Sequence, residues 1–490
     1  MNAKIISRKI IKILAVAGLL LIVVLWILSY SVASLFNYVM ARQHILAGTV
    51  TVKQISASLT GKVEFSELYW KDYGGHTLVY VPHGSFRVRL YDVLTDNFKS
   101  TTVQELTLDE PQISLAFDEK MKIDFVGHSR DFAAMDEMVR GNDKNWTNKV
   151  SRVGKTEEQL LEEGRKKRRV QQLKIEEGWQ NFNRENKKLR LKLAVNRCRL
   201  EIFFRDRHYL LSSVNLDGNI DTAGMTELKA YTGIFGGTMI GRGMSIRGAI
   251  DFAPKNVPEC DLNISLFDVD PSSLGLGLNI HDKMTLTARF SGDVSHPVGA
   301  GMVNMKELHI PGLDFFDVEG KIRYEEAMLY FDNVKAKVYG GSLAADGEYN
   351  MDSRYYTIKG RGEKLKTRRA LQGSHLHCEV DMDITLKSKG NAKNTVAFGS
   401  FVSGKGRYGI IPFDKISGSF NNAYRDLTFS DVAIDIGKYK IVTDAFNIKE
   451  GKLKLNPIHL VDEQGRSILR YTRESGLNHG VEGDLHHVGE

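Results

Sequence analysis

The chain has 490 residues, of which 42% are hydrophobic and 26% are charged, and its formal net charge is +7. These values are typical of a globular body, so they exclude a bundle of membrane helices. Three widely spaced cysteines, an odd number, exclude a disulfide-stapled secreted domain. The modest positive charge fits a solvated basic face or an anionic membrane surface, and we expect no nucleic-acid partner.

An uninterrupted apolar segment occupies residues 13–36 and contains no charged side chain. A helix of this length, at about 1.5 Å of rise per residue, crosses the roughly 30 Å hydrocarbon layer of a bilayer. Four basic residues precede it: Lys4, Arg8, Lys9 and Lys12. The positive-inside bias therefore predicts a cytoplasmic tip and a single transmembrane anchor over residues 1–36, with the remaining chain outside the cytoplasm. The alternatives are a cleaved signal peptide and a helix buried in a very large protein.

Residues 37–128 form the next predicted domain, and its pattern indicates strands. Apolar and polar residues alternate over 63–66, 86–90 and 113–117. A period of two places all apolar side chains of a strand on one face of a sheet. We expect turns at Gly74-Gly75, at residues 82–84 and at residues 109–111, where glycine and proline occur.

A charged segment over residues 129–193 breaks this pattern and is predicted to be a helical insertion. Residues 155–191 are rich in Glu, Lys, Arg and Gln, and pairs such as Glu163 and Lys167 have helical spacing. The apolar residues form only a thin stripe, so the sequence predicts a surface helix lying over a sheet edge. The basic run at residues 165–169 fits a solvated face or contact with lipid headgroups.

Strands resume in the last predicted domain, residues 194–490. The alternation is nearly perfect over residues 260–266, 284–290 and 380–386. With 45 glycines and nine prolines, the chain is expected to make many tight hairpins and few broken strands. A repeat with an offset of 98 residues matches four pairs: Gly320 with Gly418, Leu329 with Leu427, Phe331 with Phe429 and Val334 with Val432. Each copy has the form Gly, strand, turn, then Leu-x-Phe-x-x-Val, which is typical of a sheet that grows by repetition.

The persistence of the alternation predicts the fold class. A compact sandwich is expected to contain uniformly apolar inner strands, whereas most strands here stay half polar. The sequence therefore predicts a mainly β protein in which the membrane helix is followed by a long, curled, mostly antiparallel sheet, with the charged helical insertion added. We expect the concave side of this groove to be apolar. A groove of this kind suits the shielding of acyl chains, because each methylene removed from water contributes about 0.8 kcal/mol.

Several segments of the sequence resemble a known family of membrane-anchored envelope proteins. The segments after the anchor are residues 52–55, 58–68, 88–94 and 106–115, with Asp72 and Leu78 between them. Residues 335–347 (KAKVYGGSLAADG) and 235–238 (FGGT) have a strand, Gly-Gly, strand arrangement. Together they resemble AsmA-like proteins, including the TamB-like translocation and assembly module proteins. The charged insertion at residues 129–193 is a departure from that pattern.

The resemblance implies a protein of the inner, cytoplasmic membrane in a bacterium with two membranes, with the bulk of the chain in the periplasm. It implies a groove-forming β-structure that moves phospholipid toward the outer membrane or maintains that membrane. The implied partners are membrane phospholipid, the inner membrane and an outer-membrane protein.

Motifs for chemistry are weak in this sequence. Residues 399–405 have the spacing of a phosphate-binding loop, but Gly406 stands where Ser or Thr would hold magnesium, and a strand pattern follows. His375 and His377 share a strand face beside Cys378. This arrangement fits a solvated strand edge better than it fits a zinc site. Paired carboxylates, Asp381 with Asp383 and Asp268 with Asp270, are expected on the polar face of amphipathic strands, and a glycosidase is the weaker alternative. We therefore expect a protein that is not an enzyme and that has no cofactor or metal.

The sequence thus predicts a lipid conduit whose inward-facing apolar side chains contact acyl chains. The predicted lipid-groove residues are Phe65, Leu68, Leu115, Phe117, Leu286, Phe290, Leu329, Phe331, Leu427 and Phe429. Plain packing inside a closed β-sandwich is the alternative for each of them. The alternative function is an envelope assembly factor that binds outer-membrane protein strands by adding them to its own sheet edge. An enzyme acting on cell-wall polymer is the third possibility.

Overall fold

The structure is a computed structural model, and strands dominate the residues it describes. Those residues are 33–34, 37–38, 41, 47–58, 60–89, 91–92, 95, 101–117, 123–125, 155–184, 189–204, 207–253, 257–274, 280–310, 313–370, 375–389, 395–423, 426–449, 452–455 and 458–471. The prediction of a mainly β, mostly antiparallel protein is confirmed. No helix in this described part is long and apolar enough to cross a membrane. The predicted anchor, residues 13–36, lies outside it except for Ala33 and Ser34.

The chain forms two compact units. The first consists of Met1–Val150 and Ile175–Ile264, and the second of Ser151–Lys174 and Ser265–Glu490. The strands of the first unit are β1 (Thr49–Ala57), β2 (Lys62–Lys71), β3 (Thr77–Val88), β4 (Val103–Asp109), β5 (Gln112–Phe117), β6 (Arg190–Phe204), β7 (Arg207–Asp221), β8 (Met225–Thr232), β9 (Phe235–Gly237) and β10 (Gly243–Asp251). A further strand, β11 (Glu259–Val269), begins in the first unit and ends in the second.

Pairing in the first unit is antiparallel between β1 and β2, β2 and β3, and among β6 to β10. The exception is β6, which runs parallel to both β4 and β5. Parallel neighbours need a long crossover connection, and the charged insertion provides it between β5 and β6. A feature predicted as a surface addition therefore also sets the direction of the next strand.

Of the three predicted turns in residues 37–128, one is wrong and one separates two strands without reversing the chain. The Gly74-Gly75 turn joins β2 and β3, as expected. Pro82 and Gly84, however, lie inside β3, where Pro82 is opposite the positive-φ residue Glu67 and Gly84 is under the Phe65 ring. At residues 109–111 the chain does not reverse, because β4 and β5 both pair antiparallel with β3 and parallel with β6. Proline interrupts a ladder without forcing a hairpin.

The second unit contains the remaining strands. They are β12 (Met284–Asp293), β13 (Val298–Ile310), β14 (Leu313–Glu325), β15 (Met328–Val338), β16 (Gly341–Asn350), β17 (Tyr355–Lys366), β18 (Leu376–His377), β19 (Glu379–Lys389), β20 (Thr395–Ser403), β21 (Gly406–Tyr408), β22 (Ile411–Phe413), β23 (Lys415–Ala423), β24 (Asp426–Ile436), β25 (Tyr439–Lys449), β26 (Lys452–Leu455), β27 (Ile458–Val461) and β28 (Ser467–Tyr471). Successive strands from β12 to β25 pair antiparallel, except that β18, β21 and β22 form a small separate sheet.

The repeat occupies equivalent positions in two hairpins of this unit. Phe331 pairs with Ile322 in the β14–β15 hairpin, and Phe429 pairs with Phe420 in the β23–β24 hairpin, so partners also keep the offset of 98. The bulge residues Asn333 and Asp431, again 98 apart, have φ of 52° and 54°. A bulge places one extra residue in the strand, which explains why the repeat reads Phe-x-x-Val instead of Phe-x-Val.

The long helix α1 (Glu157–Arg184) confirms a helical insertion but ends before the predicted limit of residue 191. Residues 190–204 belong to β6, where Leu191 and Leu193 alternate with Arg190 and Lys192. In the second unit, Arg168 of α1 forms an ion pair with Asp352, in the turn between β16 and β17. A short helix, α2 (Thr367–Ala370), follows β17 in the second unit.

Many glycines lie inside strands and not only in turns. A Cβ at Gly84 would meet the Phe65 ring, one at Gly299 the Phe290 ring, and one at Gly418 the Phe401 ring. An aromatic ring covers the neighbouring strand's glycine in each case. The 45 glycines that suggested tight hairpins therefore also serve to admit large rings on the apolar faces.

Candidate functional site

The structure brings six of the ten predicted lipid-groove residues onto one face of the second unit's sheet, here called the apolar face. Side chains of directly paired residues in antiparallel strands lie on the same face. One row of paired residues runs Phe290, Gly299, Tyr324, Leu329, Tyr349 and Tyr356. A second row runs Phe331, Gly347, Ile358, Leu386, Ala397, Asn422 and Leu427.

A third row joins Leu286 and Phe429 to the same face. It runs Leu286, Val303 and Gly320, then across the close contact of Gly320 with Val334 to Ala345, Gly360, Ile384, Gly399, Phe420 and Phe429. Val432 contacts Gly418 on this face, and Ile434, two residues later, pairs with Ile441 of β25, so the apolar face is continuous over the eleven paired strands from β12 to β25.

The apolar face is only partly buried. Leu329, Val303 and Tyr349 are buried. Leu286, Phe290, Phe331, Leu427 and Phe429 are half-buried, although large apolar side chains in a closed core are usually sealed. The rings of Phe401 and Phe429 meet edge to face, with centroids 6.0 Å apart. Aromatic rings thus remain accessible along the face while they contact one another.

The opposite face of the same strands is polar. Arg323 donates from Nε to Asp332 at 2.8 Å, and Lys337 lies 2.7 Å from Asp317. Both pairs are largely exposed, and the hydrogen bond that Lys337 donates to Asp317 raises the pKa of Lys337. Exposed pairs contribute little stability but make this face favourable in water. The sheet of the second unit therefore has one face suited to water and one suited to apolar ligands.

The other four predicted residues belong to the first unit. Phe65 is 7% exposed, and Leu68 packs beside it against Val52, Ile55 and Val81 in a hydrophobic cluster. These neighbours enclose Phe65, so this residue lies in a packed core.

Leu115 and Phe117 are half-buried on β5, where Leu115 pairs with Ile202. The most buried side chain of β5 is Ala116, which is 1% exposed and alternates with them. Burial in β5 is therefore greatest on the face opposite the predicted residues.

The C-terminal end of the predicted anchor contacts the first strand. Ala33 is 6% exposed and belongs to the same hydrophobic cluster as Phe65. The Asn37 side-chain amide donates to the Val52 carbonyl oxygen and accepts from the Val52 N–H, both at 2.8 Å. Among the described strands, β1 pairs only with β2. The Asn37 side chain therefore satisfies the Val52 N–H and carbonyl groups as a second neighbouring strand would.

The segments that resembled catalytic motifs serve as ordinary structure. Gly399 is inside β20, and the chain after Lys405 enters the β21–β22 hairpin instead of a helix. Asp381 accepts a hydrogen bond from the Lys364 N–H, and Asp383 lies 3.9 Å from Arg361. Among the described residues, no cluster of three or more His, Cys, Asp or Glu side chains could hold a metal ion. Asp381 and Asp383 therefore make contacts between neighbouring strands.

Two of the three cysteines, Cys198 and Cys378, are poor nucleophiles. Burial raises the pKa of the Cys198 thiol to about 11, so this thiol stays protonated near neutral pH. Burial likewise raises the pKa of Cys378, beside the histidines that suggested a metal site. Neither thiol has the electropositive surroundings that activate a catalytic cysteine.

Further residues of the apolar face were not among the predicted ten. They include Val303, Ile322, Ile358, Ile384, Leu386, Phe401 and Phe420. Their strands alternate as clearly as those that were chosen, so the signal was present. The missing information was the strand register. Phe331 pairs with Gly347, and Gly347 pairs with Ile358, so Phe331 and Ile358 lie in one row.

Comparison of the chain with protein-family models, with curated proteins and with solved structures found no match.

Proposed function

We propose that the chain is an AsmA-like, TamB-like envelope protein that shields and conducts phospholipid between the inner and outer membranes and so supports outer-membrane integrity. In this proposal residues 13–36 anchor it in the inner membrane as a single span, and the bulk of the chain lies in the periplasm. The protein is not an enzyme and needs no cofactor.

The observation that carries the proposal is the continuous, half-exposed apolar face from β12 to β25. Successive strands are roughly 4.8 Å apart, so eleven paired strands extend for about 50 Å, which is longer than one phospholipid. Each acyl methylene covered by this face contributes about 0.8 kcal/mol. A lipid can therefore lie on the face at several successive positions without exposing its chains to water.

The test is mass spectrometry of the lipids that copurify with the protein. A Phe331→Glu, Phe429→Glu double variant places two charges on the apolar face. Its matched control is Tyr330→Glu, Thr428→Glu, which places the same charges one residue earlier and therefore on the polar face. We expect phospholipid on the parent and the control, and its loss from the apolar-face variant. A folded parent without lipid, or equal lipid on both variants, would contradict the conduit.

A second candidate function rests on the edge strand β28. Among the described strands it pairs with β27 alone, and Ile468 and Leu469 are 54% and 63% exposed. An edge of this kind suits the addition of an outer-membrane protein strand. The envelope assembly factor predicts that Ile468→Lys abolishes capture of an unfolded outer-membrane protein while copurified lipid stays unchanged. The conduit instead predicts that the Phe331→Glu, Phe429→Glu variant is defective and that Ile468→Lys is not.

A further inference from the structure

A small hairpin of the second unit presents the most exposed large apolar side chain in the described part of the chain. Strands β21 and β22 form this hairpin, here called the Ile410 hairpin (residues 406–413). Ile410 at its tip is 94% exposed, and Tyr408 and Ile411 are 56% and 55% exposed. Exposed apolar side chains grouped on one projection mark an interaction site more often than isolated ones do.

The base of the Ile410 hairpin is held firmly. Phe413 is 5% exposed and lies against Gly406, where a Cβ would meet its ring. The Gly409 N–H donates to the His375 carbonyl oxygen at 2.9 Å. The His375 and Tyr408 rings pack edge to face, with their centroids 6.2 Å apart. The chain therefore fixes the hairpin while leaving its tip in water, which costs free energy unless the tip has a partner.

The hairpin projects from one end of the second unit's sheet. It is inserted between β20 and β23, which pair directly up to Val402 and Ser417. The connections from β17 to β19 and from β24 to β25 lie at the same end, because all these neighbours are antiparallel. Tyr439, the first residue of β25 after the latter connection, is 52% exposed. The contact of α1 with the β16–β17 turn lies at the opposite end of these strands.

Basic side chains surround the tip at this end. Exposed members are Lys405, Arg407, Arg368, Arg369 and Lys438. The Lys405 side chain is 87% exposed, and its ammonium is 3.8 Å from Asp414, a loose contact. Asp414 also accepts the Gly437 N–H and donates its own N–H to the Asp435 carbonyl oxygen, so Asp435 and Glu379 are further acids at this end. The cations outnumber these acids, so the rim of the tip favours an anionic surface.

We propose that the Ile410 hairpin inserts into the interface of a bilayer that contains anionic phospholipid. The two isoleucines enter the acyl boundary, Tyr408 stays at headgroup level, and the basic side chains contact lipid phosphates. The charge complementarity favours a lipid surface over an apolar protein groove. This inference goes beyond the proposed conduit, since it gives one end of the sheet a membrane contact whether or not the apolar face carries lipid.

The test is flotation with liposomes. Full-length protein held in nanodiscs of neutral phosphatidylcholine is mixed with liposomes of phosphatidylcholine alone or with added phosphatidylglycerol. The variant is Ile410→Asp, Ile411→Asp, and the matched control is Ile234→Asp, which changes another exposed isoleucine (67%) in the first unit. We expect parent and control to float with anionic liposomes and the variant to bind roughly tenfold more weakly. Lys405→Glu, Arg407→Glu is expected to remove the preference for phosphatidylglycerol.

Equal flotation of parent and hairpin variant would overturn the proposal, as would a parent that does not float or that binds neutral liposomes equally well. A second measurement tests the proposal even if the Asp variant misfolds. An Ile410→Trp protein should show extra fluorescence quenching by lipids with spin labels in the acyl chain. Absence of that quenching also overturns the proposal. Copurified phospholipid is measured on the same samples, so failure of the hairpin and failure of the conduit are distinguishable.

Discussion

Two glycines covered by phenylalanine rings test whether the apolar face of the second unit is open. Gly84 lies under Phe65 in the first unit, and Gly299 lies under Phe290 in the second. Neither glycine has a left-handed φ, so alanine is compatible with both backbones. Because the added methyl meets a ring at each position, the difference between the two variants depends on whether the ring has room to move.

The expected magnitudes follow from the contacts. A Cβ at Gly84 would lie 2.8 and 2.9 Å from two ring carbons of Phe65, which is only 7% exposed and cannot turn away. Overpacking of this kind costs about 1–3 kcal/mol, and the lower unfolded-state entropy of alanine returns about 0.4–1 kcal/mol. We therefore expect Gly84→Ala to destabilise its strands by about 1–2 kcal/mol. A Cβ at Gly299 would lie 2.7 Å from Phe290 Cε1, but this half-buried ring can swing outward, so we expect a change within about 0.5 kcal/mol of zero.

The assay is hydrogen exchange of the local backbone, read by mass spectrometry on peptides from β2–β3 and from β12–β13. A loss of about 1.4 kcal/mol accelerates exchange tenfold where exchange follows the opening equilibrium. Gly236→Ala is the control, because nothing lies within 4 Å of the added Cβ. If Gly299→Ala accelerates exchange as much as Gly84→Ala does, Phe290 is enclosed, and the argument for an open lipid-binding face fails.

Three further predictions concern single contacts. The hydrogen bond to Asp282 raises the pKa of His309 above its usual 6.5, so its contribution to stability is full below pH 6.5 and is lost as the pH rises through the higher folded value. Denaturation at pH 6 and pH 8 should therefore show a smaller pH dependence for His309→Gln. Asn37→Ala removes both hydrogen bonds to Val52, and it should weaken protection of the β1 amides by about 1–2 kcal/mol in hydrogen exchange. Arg168→Ala breaks the ion pair between α1 and the β16–β17 turn, and it should speed tryptic cleavage within residues 157–174 several-fold.

Each of these predictions has a control. An unchanged pH dependence in His309→Gln would show that this histidine does not titrate with folding. Asn37→Asp keeps the acceptor and loses the donor, so it should fall between the parent and the alanine variant. Lys166→Ala removes an exposed pair within the helix, with Glu162, and equal cleavage of this variant and Arg168→Ala would remove the role of the helix contact.

The alternation of apolar and polar residues was sufficient to predict strands and the sets of side chains that share a face. A side chain's face in an extended chain depends only on its parity, which is a local property. The prediction held for residues 284–290 and 380–386, which lie in β12 and β19. It held less well where a left-handed residue interrupts the parity, as Asn333 does in β15.

The helix of the insertion was predictable for the same local reason, since its composition favours helix over its whole length. Its role as the crossover that makes β6 parallel to β4 and β5 was not, because strand direction depends on contacts distant in the sequence. The position of Pro82 inside β3 was likewise decided by pairing, since its missing N–H falls opposite the irregular residue Glu67.

The candidate site shows the same division between local and distant information. Alternation within each strand is enough to place Leu286, Phe331 and Phe429 on the apolar sides of their strands. Strand pairing, which alternation does not reveal, joins these residues on one continuous face and encloses Phe65 in a packed cluster. Parity is a property of each strand separately. Strand register arises from pairing between segments far apart in the chain, and so does the space that remains above a ring.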